Sequence, residues 1–346
     1  MSSTEPKILS IDTSCDETAA AVTSGLKVLS NVIASQVKTH AKFGGVEPGV
    51  ARREHQKLID PVIQEALKQA KADIKEIDAI AVTQGPGLAI ALEVGIDKAK
   101  ELAEKFQKPL IAVNHMEGHL FSSFAQDHKG ERGISDPKFP ALGLLVSGGH
   151  TELVLMNDFG KYELVGQTLD DAAGECFDKV ARILELGYPG GPALSKMAKS
   201  GNDEAFRFPI PLKWSEDLNF SFSGLKTAAL YLSQKLGEIN SEVKADFAAS
   251  FEKAAVAHLV DKLVKATNKF NPKMVLIGGG VINNQRLQRE VKEEMAHLAI
   301  PMHLPFENDL LTDNAAMIGI SANFKFQREE FVKDPEKLER IPNLSF

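Results

Sequence analysis

The chain has 346 residues, enough for two domains of ordinary size, with 43% hydrophobic and 25% charged residues. Its formal net charge of −7 argues against a large basic surface, so any nucleic-acid groove must be local or completed by a partner. Two cysteines, Cys15 and Cys176, cannot form a disulfide framework, and no segment reaches the roughly 18 apolar residues of a membrane span. We therefore expect a cytoplasmic protein that is not inserted in a membrane, and the short polar N-terminus predicts no signal peptide.

The first half of the chain predicts a strand-turn-strand opening, followed by helices and short buried strands. Strands are predicted at Lys7–Asp12, Ala19–Thr23, Val28–Ser35, Ile80–Val82 and Pro109–Val113, and helices at Arg52–Lys71 and Ala91–Phe106. A further helix is predicted to begin where the last of these strands ends. It carries His115-Met116-Glu117-Gly118-His119, and histidines four residues apart project from one face of a helix.

Two imidazoles on one helix face are the usual beginning of a divalent transition-metal site, and two surface or packing histidines are the equally probable alternative. The zinc-protease motif H-E-x-x-H has its glutamate directly after the first histidine, whereas Met116 stands there in this chain. The motif therefore predicts a metal site rather than a protease site. Asp313, in the segment that opens the last helix, is the best candidate for a carboxylate ligand, with helix capping as the alternative.

The charged, Gly- and Pro-rich segment Asp127–Pro140 predicts a domain boundary, which we place between residues 135 and 136. Strands are predicted beyond it at Ala141–Val146, Glu152–Met156, Tyr162–Leu169 and Met274–Ile277. Helices are predicted at Asp171–Leu186, Ala193–Ser200, Ser223–Leu236, Val243–Asn271, Asn284–His297 and Thr312–Phe324. We thus expect domains at 1–135 and 136–325, with the last helix returning to the cleft, and a loose charged tail at 326–346.

Both halves begin with strand, polar turn, strand, at Ile8–Val22 and Leu142–Met156. This echo predicts a duplicated α/β domain with a ligand between the copies, and two unrelated β-hairpins are the alternative. In the second half the turn is Ser147-Gly148-Gly149-His150-Thr151, whose backbone N–H groups can cradle an anion, although any tight hairpin turn also needs glycine. Asn284 follows a glycine run and is either a helix cap or a nucleotide contact.

An acidic run, Asp170 to Asp178, is expected to form a solvated helix face. Lys226 lies in the segment FSGLK and either meets a phosphate or is an ordinary surface lysine. Cys15 lies in a polar turn without a histidine nearby in the sequence, so we expect it to be structural.

Ten segments together closely resemble the tRNA threonylcarbamoyl transferase family, TsaD. In chain order they are SCDET, GPGL, HMEGH, VSGGHT, DDAAGE, FDK, YPGGP, FSFSGLKT, GGGV and TDNAAMI. The resemblance covers about residues 7–324, nearly the whole chain. It implies an α/β fold of two ribonuclease-H-like domains of the actin-like ATPase (sugar kinase and Hsp70) superfamily, with the ligand in the interdomain cleft.

The resemblance also implies the residues of the site. Those for one Fe²⁺ or Zn²⁺ ion per subunit are His115, His119 and Asp313. Those around the adenylate and threonylcarbamoyl groups are Leu145, Val146, Ser147, Gly148, Gly149 and His150, and the other nucleotide-binding positions are Asp178, Gly191 and Asn284. Glu17 would face the active site, and we assign catalytic roles to Glu17 and His150.

The implied reaction transfers a threonylcarbamoyl group from threonylcarbamoyl-AMP to N6 of the adenosine beside the anticodon, in tRNAs reading codons that begin with A. The adenylate ligand could also be ATP, ADP or AMP. Implied partners are tRNA, a paralogous non-catalytic dimer partner (TsaB-like) and a P-loop ATPase (TsaE-like). The absence of a Ser-His-Asp or Cys-His pattern favours direct attack by the adenosine amine.

The alternative functions are an actin-fold ATPase or small-molecule kinase, a metallopeptidase, and a non-catalytic scaffold. A dedicated His-x-x-x-His with a distant Asp has no obvious place in kinase chemistry, and the displaced glutamate argues against a peptidase. The chain departs from the family pattern at Gly49, where a Glu is common, at Gln84 and the stretch Ala89 to Gly95, and at a C-terminal end without Arg-Trp. They bear on partner compatibility rather than on the reaction.

Overall fold

A computed structural model of the chain describes residues 5–134 and 136–346. Residues 1–4 of the predicted N-terminal segment, and Ser135 at the predicted domain boundary, lie outside the described residues. The chain divides into two compact units, Met1–Pro137 with Leu304–Phe346, and Lys138–His303. The last helix and the C-terminal end thus belong to the first unit, whereas the predicted second domain, 136–325, had included that helix.

The first unit contains a five-stranded sheet of order β3-β2-β1-β4-β5. The strands are β1 (Lys7–Asp12), β2 (Glu17–Ser24), β3 (Lys27–Ser35), β4 (Ala79–Gly85) and β5 (Leu110–Asn114). The helices are α1 (Val37–His40), α2 (Pro48–Gln69), α3 (Ala89–Phe106), α4 (His115–Phe121) and, last in the chain, α10 (Ala315–Gln327). The first three strands form an antiparallel meander, while β4 and β5 run parallel to β1.

Side chains alternate along a strand, so the two faces of β1 pack against different helices. Leu9 and Ile11 belong to a core cluster that includes residues of α2 and α3. Ile8 belongs to a second cluster that includes residues of α10. Ser10 shares the face of Ile8, and its hydroxyl donates to the carbonyl of Ala315 at 2.6 Å. By the same alternation Asp12, the last residue of β1, lies on the α10 face.

The C-terminal end is packed onto the first unit, which corrects the prediction of a loose tail at 326–346. Backbone hydrogen bonds join Val332 to Leu110, Ile341 to Gln84, and Gly87 to Pro342. Leu338 is 7% exposed and belongs to the core cluster of α2 and α3. The end of the chain is therefore an integral part of this unit.

The second unit contains a five-stranded sheet of order β10-β9-β6-β7-β8. The strands are β6 (Ala141–Val146), β7 (Thr151–Asp158), β8 (Lys161–Gln167), β9 (Met274–Gly278) and β10 (Met302–His303). The helices are α5 (Ala173–Ile183), α6 (Gly190–Ala198), α7 (Ser223–Leu236), α8 (Ser241–Phe270) and α9 (Gln285–His297). Again three strands form an antiparallel meander and two run parallel to the first of them. The two units thus have the same strand order and directions.

The sequence's one tryptophan, Trp214, lies in the loop before α7 and is 87% exposed. Lys262 and Lys265 of α8 hold this loop, since their ammonium groups donate to the carbonyls of Asp217 and Ser215, respectively. Within the described residues, no helix combines the length and the apolar character needed to cross a bilayer.

Candidate metal centre and nucleotide-binding loops

His115 and His119 lie on α4, which begins directly after β5, as the sequence predicts. The helix is initiated by Asn114, whose side-chain oxygen accepts hydrogen bonds from the backbone N–H groups of Met116 at 2.8 Å and Glu117 at 3.3 Å. The two imidazole rings lie edge to face, with centroids 4.7 Å apart. Both histidines are buried, at 6% and 0% exposure.

Asp313 lies immediately before α10 and does not cap that helix. The cap is Asn314, whose side-chain oxygen accepts from the N–H of Met317 at 3.0 Å. The carboxylate of Asp313 is therefore available to the histidines. Its Oδ1 lies 3.3 Å from His115 Nε2 and 3.2 Å from His119 Nε2.

The geometry of these three residues fits a small divalent cation. Each offers one ligand atom, and the three atoms lie within 4.8 Å of one another. A tetrahedral ion about 2.0–2.1 Å from its ligands separates neighbouring ligand atoms by about 3.3 Å, which matches the two observed N···O distances. Two imidazoles and a carboxylate also form the donor set that Fe²⁺ and Zn²⁺ accept.

Gly118 allows α10 to approach α4 closely. A methyl group built at Gly118 would lie 2.9 Å from Ile318 Cδ1 and 3.2 Å from Met317 Cγ, both on α10. The glycine in HMEGH is thus explained by the packing that places Asp313 beside the histidines.

Glu117, the acidic residue of the same motif, has a different partner. Its Oε2 lies 3.5 Å from Lys325 Nζ on α10. Through this contact Glu117 links α4 to α10.

The charges of the three residues are strongly coupled. Burial disfavours the imidazolium of His115, but the Asp313 and Asp12 carboxylates outweigh burial and raise its pKa to about 10. At His119 burial dominates and lowers the pKa. Burial also acts to raise the pKa of Asp313, but His115 and His119 hold it far below its usual range. His115 is thus protonated next to the Asp313 carboxylate. A bound cation would replace the proton on the His115 ring.

Asp12 is a further residue of this centre, and the sequence analysis did not predict a role for its carboxylate beside the histidines. It is fully buried at the end of β1, and its Oδ1 lies 3.7 Å from His115 Nδ1. The same oxygen accepts the hydroxyl of Thr83 at 2.7 Å, so its position is fixed. At 3.7 Å the two groups interact through charge rather than through a hydrogen bond, and a small movement would let the carboxylate orient the ring of a metal-ligating histidine. The signal in the sequence was a strand of apolar residues that ends in a buried Asp.

Glu17 begins β2, and its carboxyl interacts electrostatically with Asp313. Its Oε1 accepts the hydroxyl of Ser35 at 3.0 Å. Burial, with the neighbouring charges of Asp16 and Asp313, raises the pKa of Glu17 to about 10, so the carboxyl holds a proton at neutral pH.

In the second unit, the turn Ser147–His150 is closed by its own hydrogen bonds. The N–H of Ser147 donates to the carbonyl of His150 at 2.8 Å, and the N–H of His150 donates to Oγ of Ser147 at 3.1 Å. Gly148 and Gly149 are exposed, with open space where a Cβ would be. Leu145 and Val146 precede the turn in β6 with buried side chains, so they offer a ligand only their backbone.

Two neighbouring glycines bring other segments against this turn. A Cβ at Gly174, near the start of α5, would lie 2.6 Å from the carbonyl oxygen of Ser147. A Cβ at Gly279, after β9, would lie 2.4 Å from the carbonyl oxygen of Val146, and Gly279 has a φ of +96°. Both positions therefore require glycine for close backbone approach.

The remaining predicted nucleotide positions form two contacts in the same unit. The N–H of Gly191 donates to Asp178 Oδ1 at 2.9 Å, which joins α5 to α6. Asn284 caps α9, and its amide nitrogen lies 2.9 Å from Ser195 Oγ and 2.6 Å from Glu252 Oε1. Asn284, Ser195 and Glu252 line a cavity of about 460 Å³.

The acidic run is not the solvated helix face that the sequence suggested, because Asp170 and Asp171 precede α5. Asp170 accepts hydrogen bonds from the hydroxyl groups of Ser221 and Ser223 and from the backbone N–H of Phe222. Asp171 Oδ2 lies 2.5 Å from Lys226 Nζ, so this lysine has an ion-pair partner within the unit. The segments DDAAGE and FSFSGLKT therefore hold one another.

Comparison with known proteins identifies the family. The sequence model of TsaD, tRNA N6-adenosine threonylcarbamoyltransferase, matches residues 27–320. A protein of that name from Clostridium kluyveri is 48% identical over 341 residues, covering 98% of this chain and 97% of the relative. One from Dictyoglomus turgidum is 48% identical over 322 residues, covering 92% of this chain and 93% of the relative.

Solved structures show the fold. HypF from T. kodakarensis has a TM-score of 0.61 at 14% identity over 96% of this chain, which spans about half of HypF (49%). Component A of (R)-2-hydroxyglutaryl-CoA dehydratase from Acidaminococcus fermentans has a TM-score of 0.54 at 14% identity, covering 93% of this chain and 99% of that chain. These structures confirm the predicted α/β fold class of two ribonuclease-H-like domains. The family model and the curated relatives show that the chain belongs to the TsaD family of tRNA N6-adenosine threonylcarbamoyltransferases.

Proposed function

We propose that this acyltransferase takes the threonylcarbamoyl group from threonylcarbamoyl-AMP and that it requires one Fe²⁺ or Zn²⁺ ion held by His115, His119 and Asp313. The observation that carries the proposal is the convergence of two buried Nε2 atoms on one carboxylate oxygen at 3.2 and 3.3 Å. When bound, the ion supplies Lewis-acid polarisation and orientation of the donor. Asp12 orients His115 from behind.

The donor's adenylate is assigned to the loops of the second unit. The backbone N–H groups of Gly148 and Gly149 hold its phosphate, because both glycines are exposed. Ser147 begins this turn and closes it, since its own N–H donates to the carbonyl of His150. The backbone of Leu145 and Val146 lines the approach to this turn. Asp178, Gly191 and Asn284 hold the nucleoside, and the cavity at Asn284 supports this assignment.

We assign stabilisation of the developing negative charge to Glu17 and orientation of the leaving AMP to His150. Glu17 holds a proton at neutral pH, since burial raises its pKa to about 10, and it can donate a hydrogen bond to a developing oxyanion. His150 lies at the end of the phosphate turn, where it can orient the leaving AMP.

Direct attack by the N6 amine is favoured because neither cysteine is a ready nucleophile. Burial raises the pKa of the Cys176 thiol to about 12 and that of Cys15 well above its usual value. The thiolate is the nucleophilic form of cysteine, so both side chains are inert at neutral pH. A covalent acyl-enzyme on cysteine is therefore not part of the proposed mechanism.

We further propose that the chain works in the cytoplasm with a paralogous TsaB-like dimer partner and a TsaE-like P-loop ATPase. The support is family membership, together with a net charge of −7, which leaves part of the tRNA contact to a partner.

The proposed function is tested by a transfer assay. Metal-loaded protein is mixed with tRNA and threonylcarbamoyl-AMP, with and without the two partner proteins, and the nucleosides are analysed by mass spectrometry. The wild type is expected to form threonylcarbamoyladenosine and release AMP. His119→Ala is expected to lose at least about 100-fold in rate and to lose bound metal, because only two ligands remain.

His128→Ala is the matched control, since His128 is exposed and belongs to the same unit as the metal ligands. It should retain both metal and activity. Full activity of His119→Ala would overturn the metal assignment. Steady ATP hydrolysis without tRNA, and no modified nucleoside even with the partners, would favour the alternative of an actin-fold ATPase.

A further inference from the structure

The turn between β1 and β2, residues 13–16, is held by donors from three separate segments. Its carbonyls at Ser14, Cys15 and Asp16 each accept a hydrogen bond. The donors are the backbone N–H of Leu88 at 2.7 Å, the Nε2 of His55 at 3.0 Å and the backbone N–H of Gln36 at 2.9 Å, in that order. Three successive carbonyls bound from outside leave this turn little freedom to move.

His55 is the only one of the three donors that is a side chain, and its partners determine its tautomer. A carbonyl can only accept, so Nε2 carries the proton and donates to Cys15. The other ring nitrogen, Nδ1, is then bare and accepts the hydroxyl of Thr18 at 2.7 Å. His55 is fully buried on α2, and burial lowers its pKa, so the ring stays neutral.

A second buried histidine supports the Gln36 contact in the same way. Nδ1 of His40 accepts the backbone N–H of Glu47 at 3.2 Å, so its Nε2 carries the proton and donates to Gln36 Oε1 at 3.1 Å. Glu47 in turn caps α2 through Val50 at 2.7 Å. The start and the body of α2 thus both determine where the turn lies.

The turn connects directly to the proposed metal centre. Asp12 Oδ1, which lies behind His115, also accepts the N–H of Ser14 at 3.2 Å. Glu17 follows the turn and interacts electrostatically with Asp313. A displacement of the turn would therefore move Glu17, whereas Asp12 would keep its place behind His115, because the hydroxyl of Thr83 also holds it.

We propose that His55, supported by His40, is a positioning residue that fixes the β1–β2 turn and thereby aligns Glu17 with the metal centre. This inference rests on the proposed function. His55 touches neither the metal ligands nor the reacting groups, and it acts through the Cys15 carbonyl. Loss of that one hydrogen bond should slow the chemical step and leave binding of metal and tRNA unchanged.

The test compares His55→Gln with His55→Asn. The Gln amide nitrogen can reach the place of Nε2 and donate to the Cys15 carbonyl, whereas the shorter Asn can replace only Nδ1 and its Thr18 contact. We expect His55→Gln to keep kcat within about threefold of wild type. We expect His55→Asn to lower kcat by about 10- to 100-fold, as measured for displaced supporting residues, with KM for tRNA and bound metal unchanged.

A merely structural role predicts a different pattern, in which both variants lose stability and neither loses kcat beyond the loss of folded protein. That result, or an Asn variant as active as wild type, would overturn the proposal. Absence of product from the wild type with its partners would instead overturn the proposed function.

Nitrogen-15 NMR of the histidine rings tests the geometry without any activity. The His55 signal is the wild-type histidine signal that is missing from the spectrum of His55→Gln. In the wild type it should show a protonated Nε2 and an unprotonated Nδ1. A protonated Nδ1 would contradict the inferred hydrogen bond to Cys15.

Discussion

At the scale of single residues, the sequence predicted the candidate ligands through spacing and helix position. His115 and His119 are recognisable because four residues complete about one helical turn. Asp313 was ambiguous, since an acidic residue at a helix start usually caps it, and the structure assigns the cap to Asn314 instead. Asp12 was not identified, because only the pairing of β1 with β4 and the packing of α4 bring it near His115. The sequence shows only that Asp12 ends an apolar strand, whereas its contact with His115 depends on tertiary structure.

Asp12→Asn tests the role of that carboxylate. The substitution keeps size and removes the charge behind His115, so metal affinity should fall by about 10- to 100-fold with the fold retained. Competition with a chromogenic zinc chelator measures the affinity. Asp97→Asn is the matched control, since Asp97 is exposed on α3. An unchanged affinity in Asp12→Asn would show that Asp12 only supports the Thr83 and Ser14 contacts.

Gly49, where the family commonly has a Glu, is a further difference at a single residue. The Oε atoms of Glu47 lie 3.5 and 3.8 Å from the place where a Cβ at residue 49 would be. The chain thus has a carboxylate two residues earlier that reaches the neighbourhood of the position where the family commonly has its Glu. The sequence shows that Gly49 differs from the family. Only the structure, in which Glu47 caps α2, shows that the Glu47 carboxylate lies near residue 49.

At the scale of elements, strong periodicity predicted the helices and strands well, and the ends of the chain poorly. The helix at Ser223–Leu236 and the strand at Lys7–Asp12 have the predicted bounds. Strand β10 has only two residues and no detectable pattern. The C-terminal end was expected to be loose because it is charged. It is instead held by backbone hydrogen bonds to Gln84 and Leu110, which any side chain permits.

Leu338→Ala tests whether this end contributes to stability. Leu338 is 7% exposed in the core cluster of α2 and α3, so its truncation should lower the free energy of unfolding by about 2–4 kcal/mol. Urea denaturation followed by far-UV circular dichroism measures the change. The comparison variant is Ile341→Ala, since Ile341 is 41% exposed and should cost less than about 1 kcal/mol. Equal, small effects would mean that the packed end contributes little to stability.

At the scale of the whole molecule, the weak sequence echo between the halves corresponds to two sheets with the same strand order. The duplication is clear in topology, since each unit has a meander of three strands and two parallel additions. It is faint in sequence because many apolar residues can fill the same strand positions. The fold class followed from the motifs, whereas the assignment of the last helix to the first unit needed three-dimensional contacts.

The pH dependence of stability should reveal His258, which is fully buried in α8 and accepts the N–H of Ser221. Burial, with the charge of Lys262, lowers its pKa to about 4 from 6.5. Because the folded pKa lies below the unfolded one, the stabilising contribution is present above pH 6.5 and is lost as the pH falls toward 4. The full loss is on the order of 3 kcal/mol.

Denaturant unfolding of wild type and His258→Gln between pH 4 and 7 measures this contribution. The difference in stability between the two proteins should shrink by roughly that amount as the pH falls, since glutamine does not titrate. His297→Gln, with an exposed histidine, should show the same pH dependence as wild type. A pH-independent difference for His258→Gln would contradict the buried, neutral imidazole.

The exposed Trp214 gives the chain an optical property that its fold alone does not suggest. With one tryptophan in the sequence, 87% exposed on a loop held by lysines of α8, ultraviolet emission should already have the red-shifted maximum of an indole in water. Unfolding should therefore change the wavelength of maximum emission very little. Because tRNA contains no tryptophan, any blue shift on adding tRNA would come from that loop, so the native chain carries its own fluorescent reporter of tRNA contacts there.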